Sequence, residues 1–470
     1  MENIHNEEED NSFRDSIGTI NESGKRNWVY AQKPKGRLYN KRTIVSVFYL
    51  ILFFWLPFVR VNGDPFFLFN VLERRFIFFG VTFWPQDFFI FGLGMLVFIV
   101  FVVLFTVVFG RVFCGWVCPQ TIFMEMVFRR VEYWIEGDAS HQRALDKAPY
   151  NNEKIIKKTA KHLSFFLISF LIANTFLAYV IGTEELFKII QEPVKMHVGG
   201  FSALLLFTVI FYAVYTWFRE QVCLIICPYG RLQGVMTDRN SILVAYDYLR
   251  GEPRGKFSKN KENTKGDCID CFQCVKVCPV AIDIRNGTQL ECTNCTACID
   301  VCNHMMESIG SPKGLIRYAS EEGIAKGEKL RFTARIKAYT FVLIVLMGIL
   351  AVLLITRRDV DVTILRTPGM LFQEYDSEHI SNLYNIKLLN KTHKDISVKL
   401  KLEALKGEIE MIGKDVVIKK VSKAESSFFI ILPKKAIHDR KTPILVNIYS
   451  GKEKLQTVKT TFLGPITLKH

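Results

Sequence analysis

Apolar residues in this chain come in long blocks rather than at a strand or helix period. Residues 43–59, 88–110, 163–182, 200–218 and 338–356 carry almost no charge. A bilayer core takes about 20 apolar residues at ~1.5 Å each, and the first block sits near the ~17-residue minimum, so five transmembrane helices are expected. The apolar stretch 65–86 is interrupted by Glu73, Arg74 and Arg75, and its alternation through Phe76, Ile77, Phe78 and Phe79 is imperfect. It reads as an interfacial segment or hairpin rather than a span. The first 40 residues are polar, with an acidic run at Glu7–Asp10 and no basic start leading into an apolar core and cleavage site. A disordered tail, not a cleaved signal peptide, is expected there.

After Arg357 and Arg358 the pattern shortens. Strands are expected at Val360–Arg366, Leu383–Leu389, Ser397–Leu402, Asp415–Val421, Ser427–Leu432, Ile444–Tyr449 and Thr457–Phe462. The clearest alternation puts Val398, Leu400 and Leu402 on one face and Lys399 and Lys401 on the other. Seven short strands predict an antiparallel immunoglobulin-like sandwich, here without cysteine and so without a disulfide. Asn390-Lys391-Thr392 matches a glycosylation sequon, a tripeptide that arises often by chance. The expected fold is a multi-domain membrane protein. It comprises a polar cytoplasmic tail (1–42), a four-span α-helical bundle (43–230), a cytoplasmic ferredoxin-like domain (231–337), a fifth span (338–356) and an extracytoplasmic all-β domain (357–470).

Charge gives the orientation. Segment 111–162 carries nine Lys or Arg, among them Arg111, Arg129, Arg130, Lys157 and Lys158, against three in 60–87 and two in 183–199. The positive-inside rule then puts the amino terminus, 111–162 and 219–337 in the cytoplasm, and the chain after 357 outside, in a bacterial inner membrane. All twelve cysteines fall on that reducing side or at its membrane face, and none follows residue 302. The net charge of +15 reflects basic residues flanking spans, not nucleic-acid binding.

Eight cysteines carry the most specific signal. Cys268-x2-Cys271-x2-Cys274-x3-Cys278-Pro279 is followed by Cys292-x2-Cys295-x2-Cys298-x3-Cys302-Asn303. This is the bacterial two-cluster ferredoxin spacing, in which the fourth cysteine of each run ligates the other cluster. Cys268, Cys271, Cys274 and Cys302 are therefore expected on one [4Fe–4S] cluster, and Cys278, Cys292, Cys295 and Cys298 on the other. Zinc knuckles use paired CxxC units, and disulfides need an oxidising compartment. Asn303 stands where the first run has proline, and His304, beside Met305 and Met306, is expected to pack against the cluster.

The remaining four cysteines repeat a second pattern. Cys114-x3-Cys118-Pro119 follows the second span and Cys223-x3-Cys227-Pro228 the fourth, which suggests two related halves sharing a site. Spacing of i, i+4 would set each pair on one helix face, and the four thiols together would make a soft pocket for Cu(I) or a redox-active thiol pair. The bland alternative is small buried hydrophobes at helix ends. Glu125, on a stretch with Met124, Met126, Phe128 and Tyr133, reads as part of an interfacial helix, as do Arg231 and Gln233 after the second motif. Proton transfer by Glu125, or steering of an anion or quinone headgroup by Arg231, is the functional alternative. His162 and His197 border the third and fourth spans and none lies inside one, which disfavours a bis-histidine haem.

The chain resembles the cytochrome c oxidase accessory proteins of the FixG/RdxA/CcoG type. The resemblance rests on Thr82-Phe83-Trp84-Pro85-Gln86-Asp87, both CxxxCP units with Pro119-Gln120 and Pro228-Tyr229-Gly230-Arg231, the two-cluster run and the terminal β domain. It implies assembly of cbb3-type cytochrome c oxidase through reduction of Cu(II) to Cu(I), with a copper-exporting P-type pump or copper chaperone as partner. It also makes Cys114, Cys118, Cys223 and Cys227 candidates for the copper or membrane redox site. The expected route runs from a quinol or cytoplasmic donor through both clusters to copper. Two other readings stay open: a quinol-dehydrogenase electron-transfer subunit, and a non-enzymatic assembly scaffold.

Overall fold

The computed structural model describes residues 18–20, 23–71, 73–256, 266–327, 334–403, 407–413, 417–437, 439–451 and 453–465. Two compact units emerge, Met1–Leu350 and Ala351–His470, dividing within the fifth long helix.

In the first unit and its exit helix, five helices are long and apolar enough to cross a membrane: Arg37–Phe58, Phe88–Phe109, Asn152–Ile181, Val198–Phe218 and Ile336–Ile355. The third begins well before the apolar block because Asn151 caps it, its side-chain oxygen accepting from Lys154 N at 2.8 Å. His162 therefore lies inside this helix, against the expectation that no span contains a histidine, and its Nδ1 lies 2.9 Å from the Tyr212 hydroxyl. The core between the third and fourth spans is aromatic: Phe128 stacks on Tyr215 at 4.4 Å and meets Phe165 edge-on at 4.8 Å. The interrupted stretch forms three antiparallel strands, Phe67–Asn70, Arg75–Phe78 and Val81–Phe83, with Asn70 opposite Arg75 at the hairpin.

Residues 23–36 run along the unit rather than forming a free tail. Gln32 N donates to Lys276 O at 2.9 Å, Lys33 N to Asp138 at 3.0 Å, and the Tyr133 hydroxyl to Ala31 O at 3.0 Å. Val29 and Ala31 are buried beneath them, and this apolar anchoring overrides the polar composition. Residues 1–17, including the acidic run, lie outside the described residues. The strap ends on Asp300, whose carboxylate accepts from Leu38 N at 3.1 Å and Tyr39 N at 2.8 Å. A buried acid on another element thus caps the first span, satisfying two of its orphan amides. Gly36 leaves no room for more: a Cβ there would sit 2.3 Å from Asp300 Cγ.

The second unit is a sandwich. One sheet orders Glu408–Met411, Lys423–Pro433, His379–Asn390 and Val360–Arg366, with Gln373–Glu374 at its edge; the other orders Lys399–Glu403, Lys441–Ser450 and Glu453–Leu463. Tyr384, Phe428 and Ile430 from the first meet Val446, Ile448 and Phe462 from the second in a closed core. Val398 is buried with Leu400 and Leu402 against this core, as the alternation requires. Of the expected Asp415–Val421 strand, only Val417–Ile418 is strand among the described residues. The sequon Asn390 is fully buried, its Nδ2 donating to Lys394 O at 2.7 Å and Lys419 O at 3.1 Å, so it is closed to glycosylation.

Candidate functional site

The two ferredoxin runs fold as copies of one loop. Cys268–Cys274 and Cys292–Cys298 place left-handed residues at matching positions: Asp270 and Asn294 (φ 54° each), then Phe272 (φ 56°) and Thr296 (φ 67°). Alternating hand turns successive backbone amides into an anion-holding nest, which suits iron–sulfur sites. A short helix follows each loop, Gln273–Lys276 and Ala297–Ser308. The pair Leu243–Tyr246 and Ile316–Ala319 closes the domain.

Two small cavities open between the loops. One is lined by Cys268, Cys271, Cys274 and Cys302, the other by Cys278, Cys292, Cys295 and Cys298 with Cys274 at its edge. All eight are free thiols. Among the described residues no three His, Cys, Asp or Glu side chains close to the spacing of a single ion. Thiols standing around a cavity, under backbone nests, fit a multi-atom cluster better than a lone ion. Burial pushes the Cys274, Cys292 and Cys302 thiols up to about 12, and Cys278 and Cys298 upward as well. Without a metal these pockets favour neutral thiols, so cluster ligation and deprotonation are coupled. Asn303 accepts from Gly314 N at 2.8 Å, holding the end of the domain where proline turns the first run. His304 is exposed and does not pack beside a cluster; Met305 and Met306 line the cavity instead.

The membrane motifs are also copies. Each span ends in a residue of positive φ, Gly110 (φ 53°, ψ −131°) and Arg219 (φ 52°, ψ −123°), four positions before Cys114 and Cys223. Cys114 rides a short helix, Val112–Trp116, and Cys223 a π-helical turn, Val222–Ile226. The second cysteine of each pair is extended, Cys118 at ψ 126° and Cys227 at ψ 112°. The two thiols of a motif therefore do not share one helix face, as spacing alone suggested. Pro119 and Pro228 exclude the helical conformation for the residue before them and start a new helix at themselves.

The two motifs meet. The Cys114 thiol donates to Gln233 Oε1 at 3.1 Å, Thr106 and Tyr229 hydroxyls lie 2.9 Å apart, and Phe113 meets Tyr229 edge-on. Burial pushes the Cys114 thiol up to about 12, with Cys118 and then Cys227 adding to it. Burial also pushes Cys223 up to about 12, reinforced by Cys118 and Cys114. Gln233 is fully buried and couples the halves rather than lying at an interface; the Arg231 side chain lies outside those described. Glu125 is likewise no surface charge: its stretch packs Phe123, Met124 and Phe128 inward while it pairs with Arg129 at 3.3 Å.

Behind the thiols lies a buried charge network. Arg219 clamps Glu132 through two bonds of 2.7 and 2.8 Å, lies over Trp28 at 4.8 Å and approaches Glu220 at 3.7 Å. These contacts hold a non-glycine residue in a strained backbone region. Sequence gave no signal for this clamp, because its partners are far apart in the chain.

The motifs abut one of the ferredoxin loops. A Cβ on Gly115 would sit 2.3 Å from Thr293 O, so the short Cys114 helix presses on the backbone between Cys292 and Cys295. Asn294 accepts from Val244 N at 3.2 Å, while its Nδ2 donates to Phe109 O at 3.5 Å, at the end of the second span. Cys223 shares a cavity with Pro279, Val280 and Thr293, and the last two also line the cavity of Cys278, Cys292, Cys295 and Cys298.

Comparison with known proteins follows the same division. A family model described as a 4Fe-4S dicluster domain matches residues 218–321, one for a 4Fe-4S binding domain matches 91–138, and one for the immunoglobulin-like fold at the C-terminus of FixG matches 350–465. Protein RdxB of Cereibacter sphaeroides is 33% identical over 386 residues, covering 78% of this chain and 80% of its own. RdxA of the same organism is 34% identical over 375 residues, with 77% and 79% covered. The nitrogen fixation protein FixG of Rhizobium meliloti is 33% identical over 305 residues, 63% of this chain and 58% of FixG. A crystal structure of a FixG-related protein from Vibrio parahaemolyticus covers 23% of this chain and 97% of its own at 16% identity, with a TM-score of 0.20. Fold and site define a membrane-bound iron–sulfur electron-transfer protein. The chain belongs to the FixG/RdxA family.

Proposed function

We propose that this protein reduces Cu(II) to Cu(I) at its membrane cysteines during assembly of a cbb3-type cytochrome c oxidase. The carrying observation is the cavity that joins Cys223 to Val280 and Thr293, which in turn wall the Cys278, Cys292, Cys295 and Cys298 set. Cys268, Cys271, Cys274 and Cys302 would hold one [4Fe–4S] cluster and the second set the other; when bound, these clusters supply single-electron transfer. The second set lies nearer the membrane motifs, so the order of residues is that of a relay ending at Cys114, Cys118, Cys223 and Cys227.

Cu(II) gaining one electron becomes the softer ion that thiolates prefer. Cys114 and Cys223 are neutral when free, so each releases a proton as it takes copper. Gln233 accepts from the Cys114 thiol and orients it. The motifs and the ferredoxin domain would face the cytoplasm and the sandwich the periplasm, following the charge bias of the loops. A copper-exporting pump or chaperone would take the product, and a quinol or cytoplasmic reductant would supply electrons.

The test is Cu(II) reduction by reconstituted, cluster-loaded protein, wild type against the variant with all four membrane cysteines changed to serine. Loss of Cu(I) formation with clusters intact is expected. Full retention would move the copper site elsewhere, and rapid quinol turnover with no copper chemistry would replace the reading with that of a quinol dehydrogenase.

A further inference from the structure

A cavity of about 330 Å³ opens between the start of the third span and the end of the fourth, and no cysteine lines it. Small-molecule sites run from roughly 300 to 1,000 Å³. His162 and Phe165 line it from the third span, Thr216 and Trp217 from the fourth. These residues stand where the apolar block 163–182 begins and the block 200–218 ends, so the cavity lies at the boundary between headgroups and hydrocarbon. Trp217 is 64% exposed there, as befits a tryptophan at a membrane interface. The strap supplies the remaining wall: Trp28 and Tyr30 line the cavity, while Val29 and Ala31 are buried.

The ionic groups of this wall cancel. Lys158 pairs with Glu136 at 2.8 Å and also with Asp146. Lys161 pairs with Glu136 at 2.9 Å and Glu132 at 3.8 Å, and Arg219 clamps Glu132 from behind. Each carboxylate is thus matched by a cation, which favours a neutral occupant over a phosphate or a free cation. Polar recognition is built in all the same. The Thr216 hydroxyl oxygen is buried in this wall without a hydrogen-bond partner, a costly state that a ligand would relieve. The His162 ring lines the cavity with Nδ1 2.9 Å from the Tyr212 hydroxyl, and the Tyr30 hydroxyl donates to Asp146. Trp28, Phe165 and Trp217 offer aromatic faces to a flat ring. A neutral, flat, hydrogen-bonding head that arrives from the bilayer is the description of a quinol.

The same strap leads from the cavity to the ferredoxin domain. Gln32, two residues beyond Tyr30, donates from its N to Lys276 O at 2.9 Å, and Lys276 lies between Cys274 of one set and Cys278 of the other. Two residues span no more than about 7 Å of chain. We propose that this cavity binds the ring of a membrane quinol and is where electrons enter the protein. Oxidation there breaks the two quinol O–H bonds and leaves a quinone. One proton goes to the His162 imidazole, and the other passes by the half-buried Asp146 carboxylate to water. The two electrons leave for the ferredoxin domain, one for each of the clusters that its two cysteine sets would hold. The proposal rests on the electron-transfer reading above and not on copper as the acceptor.

The test is binding of ubiquinone-1 to the full-length, cluster-loaded protein in phosphatidylcholine nanodiscs, read by quenching of tryptophan fluorescence. Saturable quenching is expected, weakened about tenfold in the double variant H162L/T216V and roughly fivefold in W217A, where Trp28 still reports. Photolabelling of wild type by an azidoquinone should fall on the peptides carrying Trp28–Tyr30 and Lys158–Phe165 and be displaced by ubiquinone-1, a readout that needs no variant to fold. Label confined to other lipid-facing peptides, or no saturable quenching, would overturn the site. Displacement by diacylglycerol as readily as by ubiquinone-1 would overturn it too, making the cavity a seat for neutral lipid. Duroquinol should bleach the cluster absorbance of the variant with all four membrane cysteines changed to serine, and binding without that bleaching would refute electron entry here. Quinone binding by a wild type that reduces no Cu(II) would leave this site standing and remove the copper reading. Copper reduction driven by a chemical reductant, in protein that binds no quinone, would do the reverse.

Discussion

Replacing Asp300 should loosen the first span from the ferredoxin domain. Asp300 lies between Cys298 and Cys302, is buried, and accepts from Leu38 N and Tyr39 N at 3.1 and 2.8 Å. Loss of a helix cap costs about 0.5–2 kcal/mol, and two buried amides left without an acceptor add to that, so ~2 kcal/mol is a fair figure for D300A. At 1.4 kcal/mol per decade this opens the helix start about 30-fold more often. D300N keeps one acceptor oxygen but no charge and should give roughly a fivefold change. Hydrogen exchange of peptides covering residues 30–45, in cluster-loaded protein, reads this directly. The strap bonds at Gln32 and Lys33 should lose protection with it, while the second unit stays unchanged. Exchange of Leu38 and Tyr39 equal to wild type in a D300A protein with full cluster absorbance would refute the capping role.

Three further outcomes follow from named contacts. E132Q should destabilise the first unit by about 3 kcal/mol, because it leaves Arg219 buried beside a neutral partner, and thermal inactivation in detergent measures it. Burial opposes ionisation of Glu132, but Arg219 and Lys161 outweigh it and hold its carboxyl below the usual value of 4.5. That stabilisation is complete above the unfolded value and is lost as pH falls through the folded one, so wild type should inactivate in acid below pH 4.5 and E132Q should lack that step. G115A should force the Cys114 helix off Thr293 at a cost of ~1–3 kcal/mol, seen as reduced stability and altered electron transfer to the membrane motif with iron content retained. C271A should lose one cluster, cutting iron by about half while leaving the membrane bundle folded.

Much of this architecture was legible because its signals are local. Long apolar blocks locate the spans, and the spacing of eight cysteines pairs them around two cavities in the folded domain. The strand starting at Val360 is readable for the same reason, since alternation needs only neighbouring residues. What failed was set by distant partners. A polar tail composition hid Val29 and Ala31, whose stretch is held by distant partners, Arg219 over Trp28 and the Tyr133 hydroxyl on Ala31 O. The helical spacing of Cys114 and Cys118 misled because one proline overrides it, a rule present in the sequence but outweighed there by the period. Arg219 reads as an ordinary basic residue flanking a span, and only Glu132, 87 positions away, reveals it as a clamp. His304 shows the converse: nearness to a ligand in sequence did not place it near the cavity in space.

The loop wedged between Gly115 and the second span also makes the membrane motif and the nearer cysteine set one mechanical piece. Thr293 and Asn294 are buried, with Asn294 tied to Val244 and Phe109, so the loop backbone has no slack between the second span and the rest of its domain. A shift of the short Cys114 helix must therefore carry the Thr293–Asn294 backbone with it, and with that backbone the Cys292 and Cys295 thiols on either side.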